Sequence, residues 1–168
     1  MSRTRFNTMN CSVAQALEVL GDWWTLLIIR DAFLGVRRFS DFQQSLGIAK
    51  NILSKRLQHL VENNILEKIE VQNRGSQYEY QLTAKGKDLY TTMTAIRQWS
   101  DQWIVGKGNE PLLFKDTRTG KVIPRVKVLD AEGNPIPKRY LSIEPGPGAD
   151  TQLLERFEEA TQGVSSKH

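Results

Sequence analysis

A single cysteine, two histidines and no long apolar run set the first limits on this 168-residue chain. One thiol, Cys11, cannot close an internal disulfide, which fits a reducing cytoplasm better than a secreted, bridge-stapled domain. His59 and His168 are too few for most acid–base schemes. Without cysteine partners they cannot assemble a tetrahedral metal site. No stretch approaches the ~20 apolar residues that cross a bilayer. The first ten residues lack the apolar core of a signal peptide, so neither export nor a membrane partner is expected. A phosphate-binding glycine loop and a nucleophile elbow are also missing. The expectation is a protein that is not an enzyme and uses no metal or cofactor.

Excess charge is small as well, +4 overall, but it is unevenly placed. Residues 35–87 hold nine Lys/Arg against five Asp/Glu, and the rest of the chain balances. A nucleic-acid-binding surface would concentrate its surplus in this way. With 39% hydrophobic and 25% charged residues, the chain has the composition of an ordinary globular fold.

Apolar spacing gives the element order. Residues 12–20 read as a helix stopped by Gly21, and Asp22 caps a second helix running to Leu34. That helix is apolar around much of its circumference (Trp23, Leu26, Leu27, Ile29, Phe33), so it belongs at the centre of the core. Ser40 is the expected cap of a third helix over residues 41–46. Gly47 supplies a left-handed turn, and a fourth helix spans about residues 49–63. Residues 66–71 and 78–82 alternate and read as a β-hairpin. Thr83 caps a long helix reaching about Val105. Beyond Gly106 the texture changes to proline-rich turns and short β-type runs, expected to form a small meander. Asp150 then caps a final helix ended by Gly163. The expected architecture is α+β, mostly α, with residues 1–105 as one domain and 106–168 as an extension.

The order helix, helix, helix-turn-helix, hairpin, helix is that of a winged helix-turn-helix. At 100° per residue, the fourth helix turns Leu53, Leu57, Leu60 and Val61 inward and Asn51, Lys55, Gln58 and Glu62 outward. Ser54, Arg56 and His59 lie on its flanks, and Lys50 opens it. Asn, Gln and Lys are the side chains that read base edges in the major groove. Arg37, Arg38, Arg56 and, at the hairpin tip, Arg74 are candidates for phosphate contacts. The partner this implies is double-stranded operator DNA. A winged helix used only for protein contact is the alternative. In the long helix, Leu89, Met93, Ile96, Trp99 and Trp103 fall near a heptad seam. Val13, Leu17 and Leu20 of the first helix would complete a homodimer interface.

Several blocks together resemble the HxlR family of bacterial regulators, relatives of MarR-type winged helix proteins. They are Cys11-Ser-Val-Ala14, Gly21-Asp-Trp-Trp-Thr-Leu-Leu-Ile-Ile-Arg30, Arg38-Phe39 with Phe42, Leu53-Ser-Lys-Arg-Leu57 and Tyr78-Glu-Tyr-Gln-Leu-Thr-Ala-Lys-Gly86. The resemblance covers residues 11–103. It implies a homodimer on a palindromic operator that regulates nearby genes, with repression the expected mode and no identified small-molecule effector. Some regulators similar to this one use a cysteine placed like Cys11 to sense oxidants or electrophiles. Its place at a helix start, where the macrodipole favours an anion, agrees with that role. A buried packing residue is the alternative. Some longer members carry a similar meander with Cys-Gly pairs, resembling a zinc ribbon. Here Thr119-Gly120 and Glu132-Gly133 keep the turns without the thiolates.

Overall fold

The computed structural model describes Phe6, residues 8–71 and residues 77–165, with side chains described as far as Ala160. The chain divides into two compact units, residues 19–126 and residues 1–18 together with 127–168. Its helices are α1 (Ser12–Leu20), α2 (Trp23–Phe33), α3 (Phe39–Leu46), α4 (Lys50–Glu62), α5 (Ala84–Asp88), α6 (Tyr90–Ser100) and α7 (Thr151–Ser165). Strands β1 (Leu66–Glu70) and β2 (Tyr78–Leu82) pair antiparallel from Leu66↔Leu82 to Glu70↔Tyr78. No single described helix is long and apolar enough to cross a membrane.

In the larger unit, α2 is the central element. Asp22 Oδ1 accepts the Trp24 N–H at 3.0 Å and so caps it. Ile28, Ile29 and Ala32 are sealed in one core with Phe42, Ile48, Leu53, Leu57, Leu60, Ile65, Leu66 and Leu82. Trp23 departs from the expected inward set: at the first turn of α2 it is 76% exposed. The start of α3 also differs. Arg38, not Ser40, occupies the cap position and makes no side-chain bond there, while the Ser40 hydroxyl donates to Asp41. Inward packing of Phe39 as well as Phe42 extends the helix back by two residues.

The expected long helix is interrupted. Thr83 caps α5 by accepting the Gly86 N–H at 3.0 Å. Leu89 then ends α5 and opens α6 in one residue. The final turn, Asp101–Val105, widens into a π-turn closed by Gly106 N–H to Asp101 O at 3.0 Å. Residues 106–126 fold back along α6. The Gln98 side-chain amide donates to Pro124 O and accepts from Val126 N, as a strand residue would. Arg97 donates to Leu112 O.

The β-type runs beyond Gly106 form two isolated bridges, Lys115↔Val122 and Leu129↔Pro135, instead of a continuous ladder. Prolines at 124, 135 and 137 remove the donors a ladder would need. In the first turn, the Arg118 guanidinium beside Asp116 holds that carboxyl below the usual carboxylate range. In the smaller unit, Asn10 donates to Gly148 O at 2.9 Å, and Asp130 Oδ1 accepts from Glu132 N and Asn134 N. Asp150 caps α7 through the Leu153 N–H. That helix continues past Gly163 to Ser165, because glycine weakens a helix without obliging it to stop.

Gly86 marks the tightest approach in the larger unit. A Cβ there would overlap the Ile65 carbonyl oxygen and press on Leu82. The neighbour is backbone and cannot move aside cheaply. Gly86→Ala should therefore lower unfolding free energy by roughly 1–3 kcal/mol or more. Denaturant unfolding beside Lys87→Ala, expected to be near neutral, measures it. An unchanged midpoint for Gly86→Ala would contradict the close packing of α5 on the start of β1.

Candidate nucleic-acid interface

The turn between α3 and α4 closes on Gly47, at φ +59°, with its N–H donating to Gln43 O at 3.0 Å. Ile48 is buried beneath it and anchors the turn to the core. Residue 49, the cap of α4, is alanine, so no side chain satisfies the first N–H groups of this helix. They lie at the positive end of the helix dipole, an arrangement suited to a phosphate oxygen. In the sequence, the signal of this feature is Ala49 at the cap position.

Along α4 the two faces separate cleanly. Leu53, Leu57 and Leu60 are fully buried, whereas Lys50, Asn51, Ser54, Lys55 and Gln58 are exposed. Gln58 donates to the Glu62 carboxylate at 2.8 Å, one turn along, which orients its amide. The exposed row combines two amides, two ammonium groups and a hydroxyl. Such a set can bridge base-edge donors and acceptors.

Two of the flanking residues, Arg56 and His59, are partly buried and paired within the protein. Arg56 Nη2 pairs with Asp22 Oδ2 at 2.7 Å, fastening α4 to the start of α2. His59 has its ring between Val19 O, at 3.1 Å, and the Asn63 amide. Arg37 donates to Ala32 O at 2.7 Å and to Val36 O, and so serves the carbonyl end of α2. Arg38 stays exposed and meets Glu79 at 3.4 Å. Its backbone also bridges to Glu79, and Tyr80 N donates to Arg37 O, so residues 37–38 add a short third edge to the hairpin. Burial pushes the Tyr80 hydroxyl above its ordinary range. Lys68 sits 3.9 Å from the Tyr78 ring centroid on the same hairpin. Arg74, the expected tip residue, lies outside the described residues.

The seam residues divide between two environments. Leu20, Leu89 and Met93 pack partly buried against the chain's own core. Val13, Leu17, Ile96, Trp99 and Trp103 are exposed, the two tryptophans at 54% and 69%. Cys11, immediately before α1, is exposed in the single chain and so is not packed within the chain's own core.

These features agree with the relatives found by comparison. A family model described as HxlR-like helix-turn-helix matches residues 19–107. An uncharacterised HTH-type transcriptional regulator of Mycobacterium tuberculosis is 35% identical over 142 residues, covering 84% of this chain and 90% of the relative. The crystal structure of the candidate transcription factor PA1607 superposes with a TM-score of 0.78 at 37% identity, covering 85% of this chain and all of that one. The reduced form of the transcriptional regulator YodB from Bacillus subtilis aligns with a TM-score of 0.50 at 30% identity, over 57% of this chain and 96% of that one. By sequence and by fold, the chain belongs to the HxlR-like helix-turn-helix family of DNA-binding transcriptional regulators.

Proposed function

We propose that the protein binds a palindromic operator as a homodimer, reads it with the outer face of α4 and represses nearby genes. The observation that carries this reading is the division of α4 into a sealed leucine face and an exposed Lys50-Asn51-Ser54-Lys55-Gln58 face. A surface helix of no special role needs a polar exterior but not this concentration of base-reading groups beside an uncapped helix start. In this reading Asn51, Lys55 and Gln58 contact base edges. The amide end of α4, Lys50 and Arg38 contact phosphates, and Arg37, Arg56 and His59 position the elements that do so.

A palindromic site requires two copies. Exposed Ile96, Trp99 and Trp103 supply an apolar surface costly to leave in water, and Val13 and Leu17 are exposed apolar residues of α1. Two α4 helices about 34 Å apart would enter successive major grooves on one side of the duplex. Cys11, exposed and the sole cysteine, is the proposed point at which an oxidant or electrophile alters DNA affinity. The relative YodB, solved in a reduced form, supports that assignment. A bulky or polar adduct there would change the surface next to α1.

Three outcomes follow. Operator fragments selected by the purified protein should lose discrimination at one position per half-site, by about 1–3 kcal/mol, with each of Asn51→Ala, Lys55→Ala and Gln58→Ala. Base preference that survives all three substitutions would remove α4 from the reading role. Trp103→Asp should sediment as a monomer at micromolar concentration and bind operator poorly. A wild-type protein that is itself monomeric at that concentration would contradict the dimer. Diamide should weaken operator binding by the wild type but not by Cys11→Ser, and an equal response from both proteins would clear Cys11 of a sensing role.

A further inference from the structure

The outer surface of α4 carries one residue that base reading by amides and ammonium groups leaves without a part. Ile52 is 36% exposed, on a helix whose other exposed side chains are all polar or charged. The remaining aliphatic residues of α4, Leu53, Leu57, Leu60 and Val61, belong to the core or pack against it. Single aliphatic side chains are common on protein surfaces, so exposure alone assigns nothing. The position of this one does. Ile52 stands in the first turn of α4, directly after Asn51 and three residues before Lys55, with which it shares a helix face. That turn is also the end left uncapped at Ala49. In a helix-turn-helix, residues near the start of the second helix are the ones that meet base edges.

Polar side chains at such a place distinguish the donors and acceptors of a base pair, and isoleucine can do neither. A phosphate or a bare donor set against it would lose water and gain no hydrogen bond. The major groove offers one apolar feature, the C5-methyl group of thymine. Isoleucine is branched at Cβ and stiff at χ1, so it presents a fixed apolar surface at little further cost in side-chain freedom. Its direction is fixed as well. Arg56, one turn beyond Ile52 on the same flank, is fastened to Asp22 at 2.7 Å, and Leu53, next in the chain, is sealed in the core.

We infer that Ile52 reads one thymine in each half-site of the operator by packing against its C5-methyl group. The contact rests on the proposed reading of DNA by α4. It adds a base identified without a hydrogen bond to those that Asn51, Lys55 and Gln58 discriminate with one. Uracil in place of that thymine keeps the same base pairing and the same hydrogen-bonding atoms. It lacks only the group that Ile52 touches.

The test is a uracil scan. Each thymine of an operator selected by the purified full chain is replaced singly by uracil, and binding is measured by fluorescence anisotropy for wild type, Ile52→Ala and Ile52→Val. The expected result is one thymine per half-site at which uracil weakens wild-type binding by about three- to fivefold, the worth of one buried methyl group. At that position Ile52→Ala should bind the thymine and uracil duplexes equally, and Ile52→Val should keep part of the difference. A merely structural role for Ile52 would weaken both duplexes alike and leave the uracil effect intact. The inference is overturned if no thymine responds to uracil, or if the response persists undiminished in Ile52→Ala. A selected half-site without thymine overturns it too. Failure here is distinct from failure of the operator-binding reading. A flat uracil scan beside relaxed base preference in Asn51→Ala, Lys55→Ala and Gln58→Ala removes the methyl contact alone. Selection that enriches no duplex over random DNA removes both.

Discussion

One carboxylate fixes the geometry on which the rest depends. Asp22 uses one oxygen to accept the Trp24 N–H at the start of α2 and the other to hold Arg56 on α4. Through α2, whose Thr25, Ile28, Ile29 and Ala32 are completely enclosed, this side chain is tied to the centre of the core. Helix α4 is thus constrained twice about its own axis, by leucines sealed on one face and by an ion pair on the flank. With 100° between successive residues, those two constraints leave no freedom over which side chains point away. Lys50, Asn51, Ser54, Lys55 and Gln58 point away, together with Ile52 and Glu62.

This arrangement changes the meaning of the basic surplus in residues 35–87. Arg56 neutralises Asp22, and Arg37 serves the carbonyls at the end of α2, so two of those cations hold the scaffold together. In the proposed reading, phosphate contacts would then depend more on backbone N–H groups at the uncapped start of α4 and on Lys50, Lys55 and Arg38 than a simple charge count suggests. Backbone donors at a helix start are fixed in direction, whereas a lysine ammonium must be ordered on binding. An interface weighted toward such donors would set the register of α4 on the duplex and leave the proposed base readers, Asn51 and Gln58, to discriminate bases.

Local chemistry was legible in the sequence wherever neighbours in the chain decide the structure. The caps Asp22, Thr83 and Asp150, the left-handed Gly47, the leucine face of α4 and the hairpin all follow from spacing and side-chain type. The partners that hold Arg56 and His59, Asp22 and Val19, were not legible because they are distant in sequence. Heptad spacing in residues 89–103 was real, but it cannot distinguish the chain's own core, which takes Leu89 and Met93, from a surface left exposed at Trp99 and Trp103. The break at Leu89 and the π-turn before Gly106 carry no proline to announce them. In residues 122–128 the β-type side chains were visible, but the partner strand they need was not.

The central claim is that the constrained outer face of α4 meets base edges. Asn51 and Gln58 carry side-chain NH2 groups that nuclear magnetic resonance can follow individually in the full chain while a selected operator duplex is added. The expected result is large shifts of both amides with the operator, much smaller ones with a scrambled duplex of equal length, and little change at the buried leucines opposite. Both side-chain amides remaining unmoved while the operator is bound would contradict the claim and place recognition on another surface.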